Sequence, residues 1–253
     1  MEILTSRSNS AVKRVKSLAN KREYRYAVGE FVCDGLRCLR EAVMCESAIT
    51  AVFASSDAIA SEFPNLPVTR VSEELLQYMS PLKDAQDVIF TCKPKPSHPI
   101  NADARNLVLD GVQDPGNVGT IIRSAAAFGI DTVILVGDCA DLYNPKTVRA
   151  TMGAIFRQNV WGTTASVLSV LKMPLYGASL GDGALDIRET DFKNASVAIG
   201  SEGAGLSAEV LAMCRGLVKI PMEPDTESLN AAIAASVIMW EMYRGGENRY
   251  VNA

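Results

Sequence analysis

The chain has 253 residues, of which 48% are hydrophobic and 21% are charged, and its formal net charge at pH 7 is −4. This length is comfortable for two domains, and the composition is ordinary for a globular protein. No apolar stretch approaches the roughly 18–20 residues of a membrane span, and the polar N-terminus is unlike a secretory signal. We therefore expect a cytoplasmic protein without a membrane-spanning segment.

Six cysteines and one histidine limit the chemistry that the chain can support. No two cysteines form a C-x-x-C pair, so a zinc site is not expected and no metal is predicted. A nucleophilic Cys–His or Ser–His couple would have to use His98, which lies in a Pro-rich connector where a catalytic base is poorly oriented. The cysteines are expected to be reduced thiols, mostly buried.

Basic residues are concentrated at the N-terminus of an otherwise acidic chain. Residues 1–26 carry seven Lys or Arg residues against two Glu, a net charge of +5, which leaves −9 for residues 27–253. A basic end on an acidic protein favours a phosphate-binding face, and a solvated helix face is the alternative. The RNA-binding residues predicted in this segment are Arg7, Lys13, Arg14, Lys16, Lys21 and Arg22.

Short elements are predicted along the first half of the chain. Asn9 is the expected N-cap of a helix that runs to about Lys21, and a second helix is expected from Gly35 to Cys45. The remaining predictions here are strands at 51–54, 68–71 and 88–91 and a helix at 72–79. Prolines then interrupt any helix or central strand, so residues 93–103 are predicted to form a linker between two domains.

Strands and helices alternate more regularly in the second half. Strands are predicted at 107–110, 132–136, 175–179, 197–200 and 217–221, and helices at 117–128, 144–157, 166–172, near 207–214 and at 228–243. Such alternation of short apolar strands with helices indicates a parallel sheet that is covered on both faces. Ligands of these sheets bind beyond the carboxyl ends of the strands.

Three separated segments place small or polar residues where strands end or helices begin. They are DPGNVGTIIR at 114–123, GSEGAGLS at 200–207, and IPM at 220–222 followed by ESLN at 227–230. Such junctions leave backbone N–H groups free to meet a ligand. Three of them in one half of the chain predict a single composite site.

Together, the three segments resemble the SpoU (TrmH-like) branch of the SPOUT RNA methyltransferases over roughly residues 104–250. The matching positions are Pro115, Asn117, Gly119, Arg123, Gly200, Glu202, Gly203, Gly205, Ile220, Pro221, Met222, Ser228, Leu229 and Asn230. Residues 1–92 are similar to the small substrate-binding domain that many members carry, itself akin to ribosomal proteins that bind kinked RNA. One departure is the acidic stretch 223–226, where members usually have a glycine.

The resemblance implies an α/β protein of two domains. Residues 1–92 would form a smaller ribosomal-protein-like RNA-binding domain, 93–103 the linker, and 104–253 a SPOUT-type parallel sheet with a deep trefoil knot. The implied reaction transfers a methyl group from S-adenosylmethionine to a ribose 2′-hydroxyl of structured RNA, most directly a 23S-type ribosomal RNA. The implied partners are this RNA and a second copy of the chain, with neither a membrane nor a metal.

The resemblance also assigns residues to the site. The implied catalytic residues are Asn117, Arg123, Glu202, Ser228 and Asn230. The implied cofactor-binding residues are Gly200, Gly203, Ile220, Met222, Ser228 and Leu229, and Ser179, Leu180 and Gly181 are added because they end another strand. Arg149, on the helix after Asn144, joins the predicted RNA-binding residues, and a surface charge on a helix is the alternative. In the family account the matching arginine takes the hydroxyl proton, but a guanidinium stays protonated in proteins, which favours a grip on RNA phosphate. Asn117 and Ser228 have a second interpretation, as N-caps of their helices.

Two further interpretations concern assembly and function. The apolar run from Leu229 to Trp240 is interrupted only by Asn230 and Ser236. A helix that is apolar on every side must be buried on every side, so we expect a homodimer through this helix. A monomer that encloses the helix is the alternative.

The functional alternatives are a tRNA 2′-O-methyltransferase, a catalytically inactive RNA-binding or ribosome-assembly factor, and a nicotinamide-dependent enzyme. The last is disfavoured because the glycine turn reads G-x-x-G-x-G instead of G-x-G-x-x-G.

Overall fold

The computed structural model describes residues 3–83, 85–181, 183–223, 225 and 228–245. The chain divides into two compact units. The first consists of Met1–Pro96 and Asp141–Arg157, and the second of Ser97–Ala140 and Gln158–Ala253. A segment from the middle of the chain thus belongs to the N-terminal unit, and the domain boundaries given above stay a prediction.

The helices and strands alternate along both units. In the described residues the α-helices are α1 (Ser10–Asn20), α2 (Arg22–Val28), α3 (Leu36–Met44), α4 (Asp57–Glu62), α5 (Glu73–Met79), α6 (Pro115–Ala127), α7 (Pro145–Ala150), α8 (Ala208–Met213) and α9 (Ala231–Arg244). The strands there are β1 (Phe31–Asp34), β2 (Ile49–Ala54), β3 (Val68–Arg70), β4 (Val88–Cys92), β5 (Asn106–Asp110), β6 (Thr132–Val136), β7 (Asn159–Thr163), β8 (Leu175–Ala178), β9 (Leu185–Asp186), β10 (Ser196–Gly200) and β11 (Gly216–Lys219). None of these helices combines the length and the apolar character needed to cross a bilayer.

The first unit is built on a four-stranded sheet in the order β1-β4-β2-β3. The pairs with β4 are antiparallel, and β2 pairs with β3 in parallel. On one face, α1 buries Val12, Val15 and Leu18, and its cap Asn9 accepts the N–H of Ala11 at 2.8 Å. The three-residue spacing of these side chains gives a single apolar stripe, which is why the α1 prediction is confirmed.

Segment 141–157 is anchored to the first unit by a buried ion pair. Arg25, only 5% exposed, donates from Nε and Nη2 to the carboxylate of Asp141. The rings of Phe31 and Phe156 add an apolar contact, with centroids 6.3 Å apart. Arg25 is therefore occupied inside the unit, and the basic N-terminus presents one cation fewer than its composition implies.

The second unit contains a parallel sheet of seven described strands in the order β7-β6-β5-β10-β8-β11-β9. Every residue of β5 and β6 is buried, as expected for strands that are covered on both faces. From β5 the chain runs outward through β6 to β7, and the four later strands of this sheet all lie on the other side of β5. Ligands of open α/β sheets bind at such a reversal of strand order, beyond the carboxyl ends. The predicted parallel sheet is confirmed, and the trefoil knot stays a prediction.

Several predicted boundaries were wrong. The helix that begins at Pro145 ends at Ala150, because Met152 and Gly153 have positive φ values of 50° and 90°, which break the helical path before the expected end at residue 157. Helix α6 begins at Pro115, and α9 begins only at Ala231. The predicted helix at 166–172 is a 3₁₀ turn over 165–170. The elements α2, α4, β1, β7 and β9 were not predicted.

Candidate active site

The glycine turn after β10 folds the chain back on itself. Ser201 and Gly205 exchange two backbone hydrogen bonds of 3.1 and 3.0 Å, and Gly205 has a φ of 68°. A Cβ added to Gly200 would overlap the carbonyl carbon of Gly205 and the nitrogen of Leu206. The close approach of these two backbones therefore requires glycine at position 200.

A buried carboxylate holds the far end of this turn. Asp110, the last residue of β5, is 5% exposed, and its Oδ2 accepts the N–H of Ser207 at 2.6 Å. Asp110 also lies beside Gly200 in the register of the two central strands. Ser207 in turn caps α8, because its Oγ accepts the N–H of Val210. The turn is thus fixed at both ends, at the point where the strand order reverses.

A cavity of about 270 Å³ opens beside the turn, between the carboxyl ends of the strands and α9. Its lining is Ala178, Ser179, Leu180, Ile199, Gly200, Ser201, Glu202, Gly205, Leu206, Val218, Lys219, Ile220, Met222, Ser228, Leu229, Ala231, Ala234 and Ile238. Seven of the nine predicted cofactor-binding residues lie in this lining, and Gly181 and Gly203 do not. Sequence reasoning missed the wall from α9, although Ala231, Ala234 and Ile238 have the spacing of one helical face.

Three polar side chains from the three separated segments meet at the rim of this cavity. Asn117 donates from Nδ2 to Glu202 Oε1, and Asn230 donates from Nδ2 to Asn117 Oδ1 at 3.0 Å. Glu202 also lines the cavity, so this amide–carboxylate cluster is continuous with it. The structure therefore brings together Asn117, Glu202 and Asn230, and it places Ser228 in the adjacent lining.

Neither Asn117 nor Ser228 is the N-cap of its helix, so the second interpretation of these two residues is wrong. Asp114 caps α6, with its Oδ1 accepting the N–H of Asn117 at 2.8 Å, and Pro115 occupies the favoured first helical position. Asn230 caps α9, with its Oδ1 accepting the N–H groups of Ala232 and Ile233, so Ser228 is not the cap. Because Asp114 does the capping, the side chain of Asn117 is free to join the cluster.

Arg123 is not part of this cluster. It lies six residues beyond Asn117 on α6, which corresponds to about 120° around the helix axis. The side chain is exposed and has neither a hydrogen bond nor an ion pair with any residue that the structure describes. Its guanidinium is therefore available to a group outside the described chain.

The predicted RNA-binding residues of the first unit interleave with aromatic rings. Arg7 and Lys16 lie over the ring of Tyr78, at 4.6 and 5.0 Å from its centroid, and Arg22 lies 5.7 Å from that of Tyr26. The other members are exposed: Lys13, Arg14, Lys21 and Arg149. Arg14 differs because its hydrogen bond and ion pair with Glu30 raise its pKa.

Cys139, Cys214 and His98 of the second unit are not arranged as a catalytic nucleophile with its base. Burial, and the charge of Asp110, raise the pKa of Cys214 to about 11. Burial also raises the pKa of Cys139, so both remain protonated at neutral pH. His98 is held by its backbone to Asn159 in the connector, with hydrogen bonds of 3.0 and 3.2 Å. In the described ranges, no three His, Cys, Asp or Glu residues form a group that could hold a metal ion.

Two stretches of the chain match known families. Residues 104–240 match the SpoU rRNA Methylase family, and residues 9–89 match the MRM3-like substrate binding domain. A relative along nearly the whole length is the 23S rRNA (guanosine(2553)-2′-O)-methyltransferase RlmP of Bacillus subtilis (strain 168). It is 28% identical over 249 residues, covering 96% of this chain and 99% of the relative.

Solved structures give the same result. The AdoMet-bound rRNA methyltransferase from Sinorhizobium meliloti has 28% identity and a TM-score of 0.86, over 96% of this chain and 97% of that one. The AdoMet complex of the SpoU methyltransferase AviRb from Streptomyces viridochromogenes has 27% identity and a TM-score of 0.82, over 93% and 97%. The second unit, with its parallel sheet and the cavity at the strand ends, thus has the fold of the SPOUT methyltransferase class. The chain belongs to the SpoU rRNA Methylase family.

Proposed function

We propose that this protein transfers a methyl group from S-adenosylmethionine to a ribose 2′-hydroxyl of a structured ribosomal RNA. The observation that carries the proposal is the position of Glu202, which lines the cavity at the strand ends and also accepts a hydrogen bond from Asn117. A cofactor pocket and a polar cluster thus share one residue. Relatives that match along nearly the whole chain include rRNA 2′-O-methyltransferases and AdoMet-bound structures.

The cavity suits S-adenosylmethionine in size and chemistry. Its volume of about 270 Å³ lies near the lower end of the range for small-molecule sites, roughly 300–1,000 Å³. Met222, Leu229 and Ile238 offer apolar surface for an adenine ring, and Gly200 lets the turn's backbone approach closely. The bound cofactor would supply a methyl group already activated as a sulfonium, so the protein has to align the ribose hydroxyl and assist the loss of its proton.

The amide–carboxylate cluster would position that ribose. Asn117 and Asn230 fix the Glu202 carboxylate by a chain of hydrogen bonds, and the exposed side of the cluster is open to an incoming hydroxyl. A carboxylate held at the rim can accept a hydrogen bond from the hydroxyl, and the amides can orient the sugar. Ser228, in the adjacent lining, would complete this wall.

Arg123 would grip an RNA phosphate. An exposed guanidinium with no partner among the described residues is well suited to a bidentate contact with phosphate. In one chain it lies on a different side of α6 from the cluster, so its contribution to the reaction would be to hold RNA or to support charge on the forming alkoxide. It would not act as the base, because guanidinium stays protonated.

The N-terminal domain, assigned here to residues 1–92 with the linker at 93–103 and the catalytic domain at 104–253, would bind the RNA. Cations stacked on Tyr78 and Tyr26 combine phosphate contacts with aromatic surface for bases. The match of residues 9–89 to a substrate-binding domain supports this assignment. We expect the protein to act in the cytoplasm.

The protein would act as a homodimer through α9. In the single chain this helix is not enclosed, since Ile233 and Trp240 are 54% and 49% exposed. Trp240 also extends an aromatic group with Phe128 and Tyr243, at centroid distances of 6.0 and 6.1 Å. A second copy of the same face would cover this apolar surface.

Two measurements test the function. Calorimetry should detect S-adenosylmethionine binding to the purified protein. Transfer of a labelled methyl group to ribosomal RNA, followed by mapping of 2′-O-methyl positions in RNA from cells with and without the protein, should identify one missing position. Methylation of tRNA alone would reassign the substrate. RNA binding without any transfer would instead identify an inactive factor on this scaffold.

A further inference from the structure

A second cavity, of about 280 Å³, lies within the first unit between the start of α3 and α7. We call it the α3–α7 cavity. Its walls combine apolar and charged side chains, among them Asp34, Leu36, Arg37, Val148, Arg149 and Met152. The function proposed above uses only Arg149 of these residues, and only as a general RNA contact.

Two arginines that line this cavity, Arg37 and Arg149, are exposed. Neither has a hydrogen bond or an ion pair with a residue of the described ranges. Other arginines of the same unit are paired: Arg40 Nε lies 2.7 Å from Glu62 Oε1, and Arg157 Nη1 lies 2.6 Å from Glu41 Oε2. Two guanidinium groups without a hydrogen bond or an ion pair on one concave surface are an arrangement suited to phosphate.

Asp34 gives the same cavity a hydrogen-bond acceptor that the protein does not use. Its Oδ2 accepts the hydroxyl of Ser80 at 2.9 Å, whereas its Oδ1 is buried and accepts nothing from the described chain. Burial raises the pKa of this carboxyl, against the opposing effects of Ser80, of the Gln86 N–H and of the charge on Arg149. An unsatisfied buried oxygen is unfavourable, so a donor brought by a ligand would be stabilised there.

The shape of the cavity limits the ligand. Its volume is just below the range of roughly 300–1,000 Å³ that is common for small-molecule sites, so it has room for one nucleotide and not for a duplex. Proteins read RNA sequence mainly from unpaired nucleotides whose bases are splayed out of the helix. Such a nucleotide carries a phosphate for the arginines and an N–H edge for a carboxylate.

We propose that the α3–α7 cavity binds one unpaired nucleotide of the RNA substrate, with Arg37 and Arg149 on its phosphate and Asp34 Oδ1 accepting an N–H of its base. This proposal rests on the proposed function, because it assigns a subsite of the same RNA. The subsite lies in the first unit, outside the residues that line the cofactor cavity. It would select where the substrate is held, and it would take no part in the chemistry.

The test compares RNA affinity across a salt series, with a transcript of 23S-type ribosomal RNA as the probe. Arg37→Ala combined with Arg149→Ala should weaken binding by about tenfold or more, and should reduce the slope of log K against log salt by about 0.7 for each phosphate that is no longer bound. Arg40→Ala removes an exposed arginine of the same helix that is already paired, and it should leave both quantities unchanged.

Asp34→Ala separates base recognition from simple charge, because it removes both the acceptor oxygens and the negative charge. If Asp34 accepts an N–H, the change should weaken RNA binding even though it removes a negative charge, and the salt slope should stay constant. Tighter binding of Asp34→Ala would show that the carboxylate only repels phosphate, and the proposal would be overturned. Leu36→Phe, which fills the cavity without a change of charge, should also weaken binding. Thermal unfolding and S-adenosylmethionine affinity, a property of the second unit, check that each variant is folded.

The possible failures can be told apart. If the wild-type protein does not bind the transcript, the proposed function fails and the subsite fails with it. If the wild type binds and the arginine variants match Arg40→Ala, only the subsite is refuted. A free nucleotide has the same chemistry, so GMP, AMP, CMP and UMP are titrated separately. Saturation of the cavity by one of these at the affinity of the transcript would assign the site to a small effector and overturn the RNA assignment.

Discussion

Asn230 donates its side-chain N–H to the side-chain oxygen of Asn117 at 3.0 Å, across 113 positions of the sequence. The same Asn230 caps α9, and the same Asn117 donates to Glu202. One pair of amides therefore ties the start of α9, the first turn of α6 and the glycine turn into one rim. A substitution of either amide should therefore change the position of the Glu202 carboxylate.

Asn117→Asp should reduce methyl transfer by about 100-fold, because small displacements of positioning groups have effects of this order. The new carboxylate would face Glu202, and two like charges within hydrogen-bond distance repel each other. Part of the activity should return as the pH is lowered and one carboxyl of the pair takes up a proton. Asn194→Asp changes an exposed asparagine of the same unit and serves as the control. Equal activity in the two variants would contradict the role of the cluster.

Gly200→Ala should abolish S-adenosylmethionine binding, because the added Cβ overlaps the backbone of Gly205 and Leu206. The turn would have to open, and its wall of the cofactor cavity would move. Gly162→Ala is the matched control, since no atom lies within 4 Å of its added Cβ. Calorimetric titration of both variants measures the effect, and binding by Gly200→Ala at wild-type affinity would refute the account of the turn.

Asp110→Ala should destabilise the protein by about 1.5–3 kcal/mol, the range for a hydrogen bond to a charged group. The affected group is the backbone N–H of Ser207, so cofactor affinity should fall together with the unfolding temperature. Asp110→Asn keeps an acceptor oxygen and should be destabilised less. Thermal unfolding and calorimetry on both variants provide the comparison, and an Asn variant as damaged as the Ala variant would argue against this hydrogen bond.

Alkylation of Cys214 should be slow at neutral pH and should accelerate toward pH 11, because burial and the charge of Asp110 raise its pKa to about 11. The raised pKa favours the folded protein below the ordinary thiol pKa, and this contribution is lost as the pH rises through about 11. Asp110→Asn removes the neighbouring charge and should speed the alkylation at a fixed pH. Mass spectrometry of the peptide that contains Cys214 follows the reaction; a rate insensitive to Asp110 would contradict the cause given.

Light scattering should give the mass of two chains for the wild type and of one chain for Trp240→Glu, because a charge among the exposed apolar residues of α9 opposes their burial. Met44→Glu is the control, since Met44 is an apolar residue of the first unit that is 79% exposed. A single-chain mass for the wild type would refute the dimer.

The sequence located most residues of the cavity lining but misplaced the ends of several elements. The lining could be located because glycine turns and strand ends are local signals, as at Gly200 and Ile220; that the cavity binds the cofactor stays a prediction. Asp114 followed by Pro115 is also a local signal for the start of α6, but only Asn117 was considered as its N-cap. Strand β7 was missed because it is only partly buried and contains Gly162, so it lacks the apolar run of a central strand. The α3–α7 cavity has no local signal, since it joins residues more than 100 positions apart.

The assignment of 141–157 to the first unit has a practical consequence for anyone who dissects this protein. Expression of residues 104–253 alone would leave Asp141 without Arg25 and would uncover the ring of Phe156 that packs against Phe31. An isolated C-terminal fragment should therefore aggregate or be clipped by protease within this segment. Separate production of the two units would require joining residues 141–157 to the N-terminal fragment. The C-terminal fragment would then need a connection between residues 140 and 158.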